Sequence, residues 1–433
     1  MNQKKISYNF GKKGWGIIGF EIIFLFFMTG MTVDGLNTIV PQIAAFRNWD
    51  PNIVLSMSTP ASIIALFLVV FWGMFANKFG LKKVTVVTMI LAGLDTIWYG
   101  NSTSLVTYAV SLVLMVTLIS AFSMTCGFSI CAQWFPTKKG IVMGITTIGM
   151  NLASAIINLI LNGLTGLFDI TKAISIMGLV IIFVAILVAV FVKATPEEAG
   201  CIPDNDPEVA ALIYREEEML KDTPHLSYKD ALKNKIVWVM GIAYGCFGMA
   251  TLGIMSQLIS YFSTVRGFTL NQALLTITIA AVIGMIGSWA WGIVDQKIGT
   301  QKASVIFGVW YLAGIVFLVI PTNICMYIGI VMLGGAIGGN GNFAPSMAST
   351  VFGRKDFVVS YSCMNMILGV TRSCSFALLA VLRMMFNGYT IPYLIFGGIS
   401  VLGAIMIAAV KVEEAVGAQN IDEEELKEIR KVI

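Results

Sequence analysis

A chain of 433 residues that is 57% hydrophobic and only 12% charged, with a formal net charge of +4, lies far from the roughly 25% charged residues of a soluble domain. Its long apolar runs clear the roughly 20 residues that a helix needs to cross about 30 Å of hydrocarbon, and they recur too often to be buried core helices. The composition therefore excludes a soluble protein and defines an integral membrane one. Twelve spans are read in chain order, at about 15 to 44, 52 to 76, 84 to 100, 105 to 134, 140 to 167, 173 to 194, 236 to 264, 271 to 294, 303 to 320, 324 to 350, 358 to 386 and 391 to 410. The first run is too long for a cleaved signal peptide and leads directly into more membrane.

Two sets of six spans flank one hydrophilic stretch. The expected domains are an N-terminal six-helix bundle over 1–194, a linker over 195–235, a C-terminal six-helix bundle over 236–410 and a tail over 411–433. With the N terminus inside, the cytoplasmic segments hold 23 of the 28 Lys and Arg, the outer loops hold Arg47, Lys172 and Arg266, and Arg372 and Arg383 lie in span 11. Both termini and the linker are therefore expected in the cytoplasm, with the chain in the cytoplasmic membrane. The linker carries mixed charge and reads as a tether, and its end, LSYKDALKNK, suits a short amphipathic helix at the headgroups. His225, the single histidine, reads as a solvated loop residue, so no imidazole relay runs through the membrane. The tail IDEEELKEIRKVI reads as a charged soluble helix. The seven Cys residues show no CxxC and no metal spacing, and six of them lie in or at the ends of apolar runs as packing residues.

One short turn occurs twice. Gly73 to Lys83 reads GMFANKFGLKK and Gly292 to Lys302 reads GIVDQKIGTQK, 219 residues later. Gly73, Gly80, Gly292 and Gly299 permit close helix approach and a tight reversal, while Lys78, Lys82, Lys83, Lys297 and Lys302 hold the turn on the cytoplasmic side. The pair resembles the signature loop between spans 2 and 3 of the major facilitator superfamily, with its weaker echo between spans 8 and 9. In that family an Asp in the loop pairs with neighbouring helix ends and helps latch one conformation. The resemblance makes Gly73, Asn77, Gly80, Lys82, Lys83, Gly292, Asp295 and Gly299 the conformational latch. Asn77 stands in the first copy and Asp295 in the second, so the second copy is expected to carry more of the task.

Two further basic turns, WFPTKKGIVMG after span 4 and VFGRKDF after span 10, stand in equivalent places. With the glycine-rich GGAIGGNGNFAP of span 10 they resemble the oxalate/formate antiporter and monocarboxylate porter branch of the superfamily. The resemblance implies an all-α membrane protein of twelve transmembrane helices in two pseudo-symmetric six-helix bundles about a central cavity, working by alternating access. It implies a transporter rather than an enzyme, and a monomer in a lipid bilayer. No cofactor, metal or nucleic acid is implied.

An ionisable group at mid-membrane costs roughly 2.5 to 3.5 kcal/mol on insertion scales, so those present need a reason. Asp34 lies deep in span 1, with Asn37 and Pro41 at i+3 and i+7 on its face. It suits either a proton carrier or a packing residue held by a salt bridge or hydrogen bond. Arg372 lies mid-span in span 11, and Tyr361, Asn365 and Arg383 share its face. A guanidinium binds a carboxylate through two parallel bonds, or serves a structural salt bridge. Near the outer end, Arg383 suits either snorkelling or substrate access. Span 5 carries Asn151, Ser154, Asn158 and Asn162 at helical spacing, readable as a cavity face or as interhelical hydrogen-bond partners, and Gly140, Gly144 and Gly149 suit close packing. Gln257 and Tyr261 on span 7 form a similar pair. Asn340 and Asn342 sit among five glycines, which suits a broken helix. Glu21 and Asp95 read as interfacial or structural.

With no P-loop, the energy source is expected to be a gradient of protons or an exchanged counter-anion. Oxalate-type carriers place basic residues in both span 8 and span 11, yet no Lys or Arg lies between Leu270 and Val294. One central cation suits a small monocarboxylate or related organic anion. The expected substrate contacts are Arg372, Asn365, Asn151, Gln257, Tyr261 and Asn340, with Asp34 coupling the proton. A zwitterion, an amphipathic drug or a non-transporting membrane sensor are the alternatives.

Overall fold

A computed structural model describes residues 7–410; the tail helix expected over 411–433 lies outside the described residues. Among these residues the secondary structure is helical. Ten helical stretches are long and apolar enough to cross a membrane. One of them, Asn323–Phe386, is 64 residues long, several times the minimum, and its backbone leaves helical geometry at Gly353 (φ 63°, ψ −173°), which splits it into two crossings. Leu81–Asn101 adds a further pass of 21 residues, more polar than the rest. The twelve passes read from the sequence result.

The passes pack as two compact units. One comprises Asn9–Pro136 and Gly149–Ala211, and the other is built from Thr137–Ile148 and the chain from Leu212 onward. The divide thus cuts span 5 after Ile148 and the linker after Ala211, so each unit holds part of what reads in sequence as a single element.

In the first unit span 1 runs Gly11–Thr29, widens into a π-helical turn over Gly30–Asp34 and continues as Leu36–Arg47. The Gly35 N–H closes this turn on the Gly30 carbonyl at 2.9 Å. A Cβ at Gly35 would overlap that same carbonyl, so the residue must be glycine. Span 4 has a matching π turn at Ala121–Gly127; such turns re-aim side chains and gather at functional sites. Polar caps set helix starts: Asp50 accepts from the Asn52 N–H at 2.8 Å, and Ser104 and Thr107 form a capping box. Thr171 Oγ1 (2.5 Å) and the Lys172 N–H (2.9 Å) bond Asp169 at the start of span 6 and hold its carboxyl well below the usual range.

The second unit is drawn together by small residues. A Cβ at Gly334 would stand 2.8 Å from the Ala280 carbonyl, and Gly338 packs directly on the Gly284 carbonyl, while Ser288 Oγ donates to the Gly338 carbonyl at 2.8 Å. This is the small-residue seam that lets membrane helices approach where apolar burial supplies no driving force. Span 10 breaks as expected: Asn323–Gly339 ends at Asn340, and the chain resumes helix at Phe343.

The linker is not a free tether. Its first part belongs to the first unit, where Lys13 Nζ donates to the Ala199 carbonyl (2.6 Å) and Trp134 Nε1 to the Lys193 carbonyl (3.1 Å). Its later part docks on the turn after span 10. Arg354 Nη1 pairs with Glu217 Oε1 at 2.8 Å, Lys355 Nζ donates to the Leu220 (2.8 Å) and Thr223 (2.6 Å) carbonyls, and Asp356 accepts from the Leu226 N–H at 2.9 Å. Lys355 thereby satisfies carbonyls left open past the end of helix Pro207–Met219. The mixed charge of the linker, which suggested a solvated strand, is matched to the charged residues of that turn. His225 is exposed, with Nδ1 3.8 Å from Asp356. The short helix at the linker's end is Tyr228–Lys233.

Candidate functional site

In the first unit the polar faces of spans 1 and 5 meet rung by rung. Asp34, Thr38 and Gln42 recur every four residues, as do Ser154, Asn158 and Asn162, so each set forms one stripe. Ser154 Oγ donates to Asp34 Oδ2 at 2.5 Å, Thr38 Oγ1 to Asn158 Oδ1 at 2.8 Å, and Gln42 Nε2 to Asn162 Oδ1 at 2.9 Å. Glycine brings the helices close enough: Gly149 lies on the Ile22 carbonyl, and a Cβ at Gly30 would stand 3.1 Å from Ile157. The stripe asparagines Asn158 and Asn162 are therefore interhelical partners. Asp34 is half-buried at one end of the ladder, with Asn37 and Ser154 exposed beside it, and Asn151 is buried. Helical spacing marked the span 5 stripe and Asp34, but Thr38 and Gln42 were missed in favour of Asn37 and Pro41, since no local signal shows which face meets which.

In the second unit the Arg372 stem lies on span 7. A Cβ at Gly248 would stand 2.9 Å from Arg372 Cδ, so Gly248 is the notch that admits it. Among the described residues of this unit neither the half-buried Arg372 guanidinium nor Asn365, two turns earlier, has a hydrogen bond or ion pair. Tyr361 is buried and stacked on Phe357, ring centroids 5.2 Å apart. Gln257 sits at a break in span 7, where its Oε1 accepts from Arg383 Nη1 at 3.1 Å; the Arg383 guanidinium stacks 4.3 Å above the Tyr389 ring. Tyr261 is buried, and its hydroxyl donates to the Leu318 carbonyl (2.9 Å) and accepts from Arg266 Nε (3.0 Å). Asn340 is half-buried at the break in span 10. Asn342 is fully buried, donating to the Ser288 carbonyl at 2.8 Å and accepting from Thr147 Oγ1.

The repeated turns share a register that corrects the sequence match. The Gly80 N–H bonds to the Ala76 carbonyl (3.0 Å) and the Gly299 N–H to the Asp295 carbonyl (2.9 Å). Asp295 therefore occupies the place of Ala76, and the counterpart of Asn77 is Gln296. Asn77 is exposed, as are Lys83 and both turn glycines, Gly80 and Gly299, while Lys82 is half-buried and Gly73 and Gly292 are buried. Asp295 is 3% exposed and accepts from Thr300 Oγ1 at 2.7 Å. It lies against the first turn of Lys139–Thr146: a Cβ at Gly140 would stand 2.9 Å from Asp295 Cγ. Gln296 Nε2 donates to the Thr137 carbonyl at 2.8 Å. Two motifs quoted separately, GIVDQKIGTQK and WFPTKKGIVMG, are thus one contact, closed further by Gly144 against Gly292.

Glu21 read as interfacial or structural. Span 1 begins at Gly11, so Glu21 lies about 15 Å along the helix at 1.5 Å per residue. It is 1% exposed, neither carboxyl oxygen has a hydrogen-bond partner, and Gly127 of the span 4 π turn leaves it room, since a Cβ there would overlap the carboxyl. Asp95 is likewise buried, with both oxygens unpartnered.

Twelve helical passes, one polar ladder between spans 1 and 5 and a guanidinium without a hydrogen bond or ion pair among the described residues of its unit mark a polytopic membrane protein. The sequence model of the Major Facilitator Superfamily matches residues 22–373, and the chain belongs to that superfamily, whose members are transporters and not enzymes. It is similar to the uncharacterized MFS-type transporter YhjX of Escherichia coli strain K12, 21% identical over 304 residues, covering 70% of this chain and 72% of that protein. It also resembles the probable sulfoacetate transporter SauU of Cupriavidus necator, 25% identical over 229 residues, about half of each chain (52%). Among solved structures, the proton:xylose symporter XylE superposes with a TM-score of 0.72 at 13% identity, covering 96% of this chain and 98% of that one, which bears on the fold alone.

Proposed function

We propose that the protein is a secondary carrier of a small organic anion, a monocarboxylate or related acid, moved by alternating access with proton coupling or by exchange. The observation that carries this reading is Arg372, a half-buried guanidinium seated on Gly248 that has no hydrogen bond or ion pair among the described residues of its unit. A cation held away from water without a counter-charge costs several kcal/mol, and a carboxylate bound through two parallel hydrogen bonds relieves that cost. Asn365 on the same face supplies an amide for the same ligand. Similarity to a probable sulfoacetate transporter supports an organic acid, and the lack of Lys or Arg between Leu270 and Val294 supports a single central cation. Asn151, Gln257 and Asn340 remain proposed contacts; Tyr261 is proposed to act through packing, given its bond to Leu318.

Asp34 is the proposed proton carrier. Its carboxylate accepts from Ser154 Oγ, and protonation is proposed to loosen that end rung of the ladder. Glu21 favours a second reading, in which the coupling proton resides at an acid with no partner, since an ionisable group inside the membrane is a functional candidate by default. The N-terminal and C-terminal six-helix bundles are proposed as the moving halves, with Asp295 as a latch. That 23 of the 28 Lys and Arg fall on the side of the termini and linker supports a chain in the cytoplasmic membrane with that side in the cytoplasm.

The test is uptake in proteoliposomes with and without an imposed proton gradient. Arg372→Ala is expected to lower uptake at least about tenfold while folding is kept. Asp34→Asn is expected to lose the pH dependence, and Glu21→Gln to keep it; the reverse pattern for the two acids would move proton carriage to Glu21. Normal transport by Arg372→Ala would sink the anion assignment and leave a zwitterion or an uncharged solute.

A further inference from the structure

A second cleft, apart from the polar ladder and from Arg372, opens in the first unit where span 1 begins and spans 4 and 6 end. Its volume is about 670 Å³. One wall is apolar, formed by Ile17 and Phe20 of span 1 with Leu187, Val190 and Phe191 of span 6. The rim holds three cations, Lys12, Lys13 and Lys193, against one acid, Glu198. That acid is turned to the backbone, its Oε2 accepting from the Ala194 N–H at 3.1 Å.

The charge at this rim is poorly matched to the helix it sits on. Span 1 has no acidic residue in its first turn, and its N-cap Phe10 supplies no side-chain bond. Lys12 and Lys13 therefore stand at the positive end of a helix, where an anion is the favoured neighbour. Beside them the apolar wall continues to the outside of the unit: Val190 is 62% and Phe191 68% exposed, and in a membrane-spanning helix such a face meets acyl chains. A cationic rim joined to a lipid-facing apolar wall suits an amphiphile with a negative headgroup, and basic pockets between helices at the membrane surface take such heads.

We propose that this cleft is a binding site for an anionic phospholipid, its phosphate held by Lys12, Lys13 and Lys193 and an acyl chain lying along Phe20, Leu187 and Val190. The site is independent of the transport reading. A soluble phosphate would engage the rim and leave the wall unused, whereas a phospholipid uses both.

Native mass spectrometry of the purified full-length protein with added phosphatidylglycerol or phosphatidylcholine tests this. Phosphatidylglycerol is expected to remain bound at concentrations at least about tenfold below those that phosphatidylcholine needs. The combined variant Lys12→Gln, Lys13→Gln and Lys193→Gln should lose that preference. Gly16→Leu should weaken phosphatidylglycerol binding with the rim intact, because Gly16 lines the cleft and a Cβ there meets no atom within 4 Å. Lys172→Gln, at an exposed lysine 3.1 Å from Asp169, should change nothing. Equal retention of the two lipids, or unchanged binding by the triple variant, would overturn the headgroup assignment. Unchanged binding by Gly16→Leu, or competition by glycerol phosphate as strong as by the lipid, would overturn the acyl-chain wall. If the triple variant does not fold, Gly16→Leu and the two-lipid comparison still decide.

Discussion

At Gly80 and Gly299 the chain makes the same reversal, with φ 95° and ψ 141° in the first copy and φ 85° and ψ 149° in the second. In each the glycine N–H returns to the carbonyl four residues back. The residue at that place differs. Ala76 is buried and carries no polar atom in its side chain, while Asp295 is equally buried and carries a carboxyl bonded to Thr300. One position on, Asn77 is exposed, whereas Gln296 is half-buried and bonded to the Thr137 carbonyl. A duplicated turn has thus kept its backbone in both halves and its polar chemistry inside its own unit in one. Conformation follows from glycine, which alone adopts these angles without strain; the polar contact depends on which side chain the shared register turns inward.

Substitutions break this comparison in a definite order, read as midpoints of thermal unfolding in detergent. Gly140→Val should act most, at about 3 kcal/mol, because added atoms would enter the space of the Asp295 side chain and the Gln296 backbone, and packed seams tolerate little extra volume. Next come Gly80→Ala and Gly299→Ala, each costing about 2 kcal/mol and agreeing within about 0.5 kcal/mol, since the strain is one of backbone angle and the backbone is shared. A clear difference between those two would show that the copies are not equivalent. Asp295→Ala follows at about 1 to 2 kcal/mol, from the lost Thr300 hydrogen bond and the lost contact with Lys139–Thr146. Asn77→Ala should stay within about 0.5 kcal/mol. Equal effects at Asp295 and Asn77 would remove the asymmetry.

What the sequence made legible was local. Apolar length marked twelve passes, glycine spacing marked both reversals, and helical spacing marked the span 5 stripe containing Ser154, while Thr38 and Gln42, the partners of that stripe beside Asp34, were missed. What stayed hidden depended on pairing or on where a helix begins. Glu21 read as interfacial or structural because the start of span 1 was set near residue 15, whereas helix begins at Gly11 and the carboxyl is buried against Gly127 of span 4. Asp295 was matched to Asn77 because acid and amide look alike in a short motif, although the offset of 219 residues shared by Gly73 with Gly292 and Gly80 with Gly299 already sets Asp295 on Ala76, as the two glycine hydrogen bonds do. The linker read as a tether because its charges were balanced, and their partners, Arg354 to Asp356, lie more than 100 residues away along the chain. Arg372 was legible as a charge inside an apolar run; the notch at Gly248 that seats it was not, since a glycine among the other small residues of span 7 has no distinguishing neighbour in sequence.

The most direct test of the anion assignment is entrance counterflow in proteoliposomes, which needs no driving gradient. Labelled sulfoacetate and a short labelled monocarboxylate would be followed for the wild type, Arg372→Lys and Arg372→Gln. The account predicts saturable counterflow of at least one of these acids by the wild type, partial activity for Arg372→Lys and a loss of at least about tenfold for Arg372→Gln. Counterflow of an acid by Arg372→Gln at the wild-type rate, or by the wild type of an uncharged sugar and of neither acid, would contradict it.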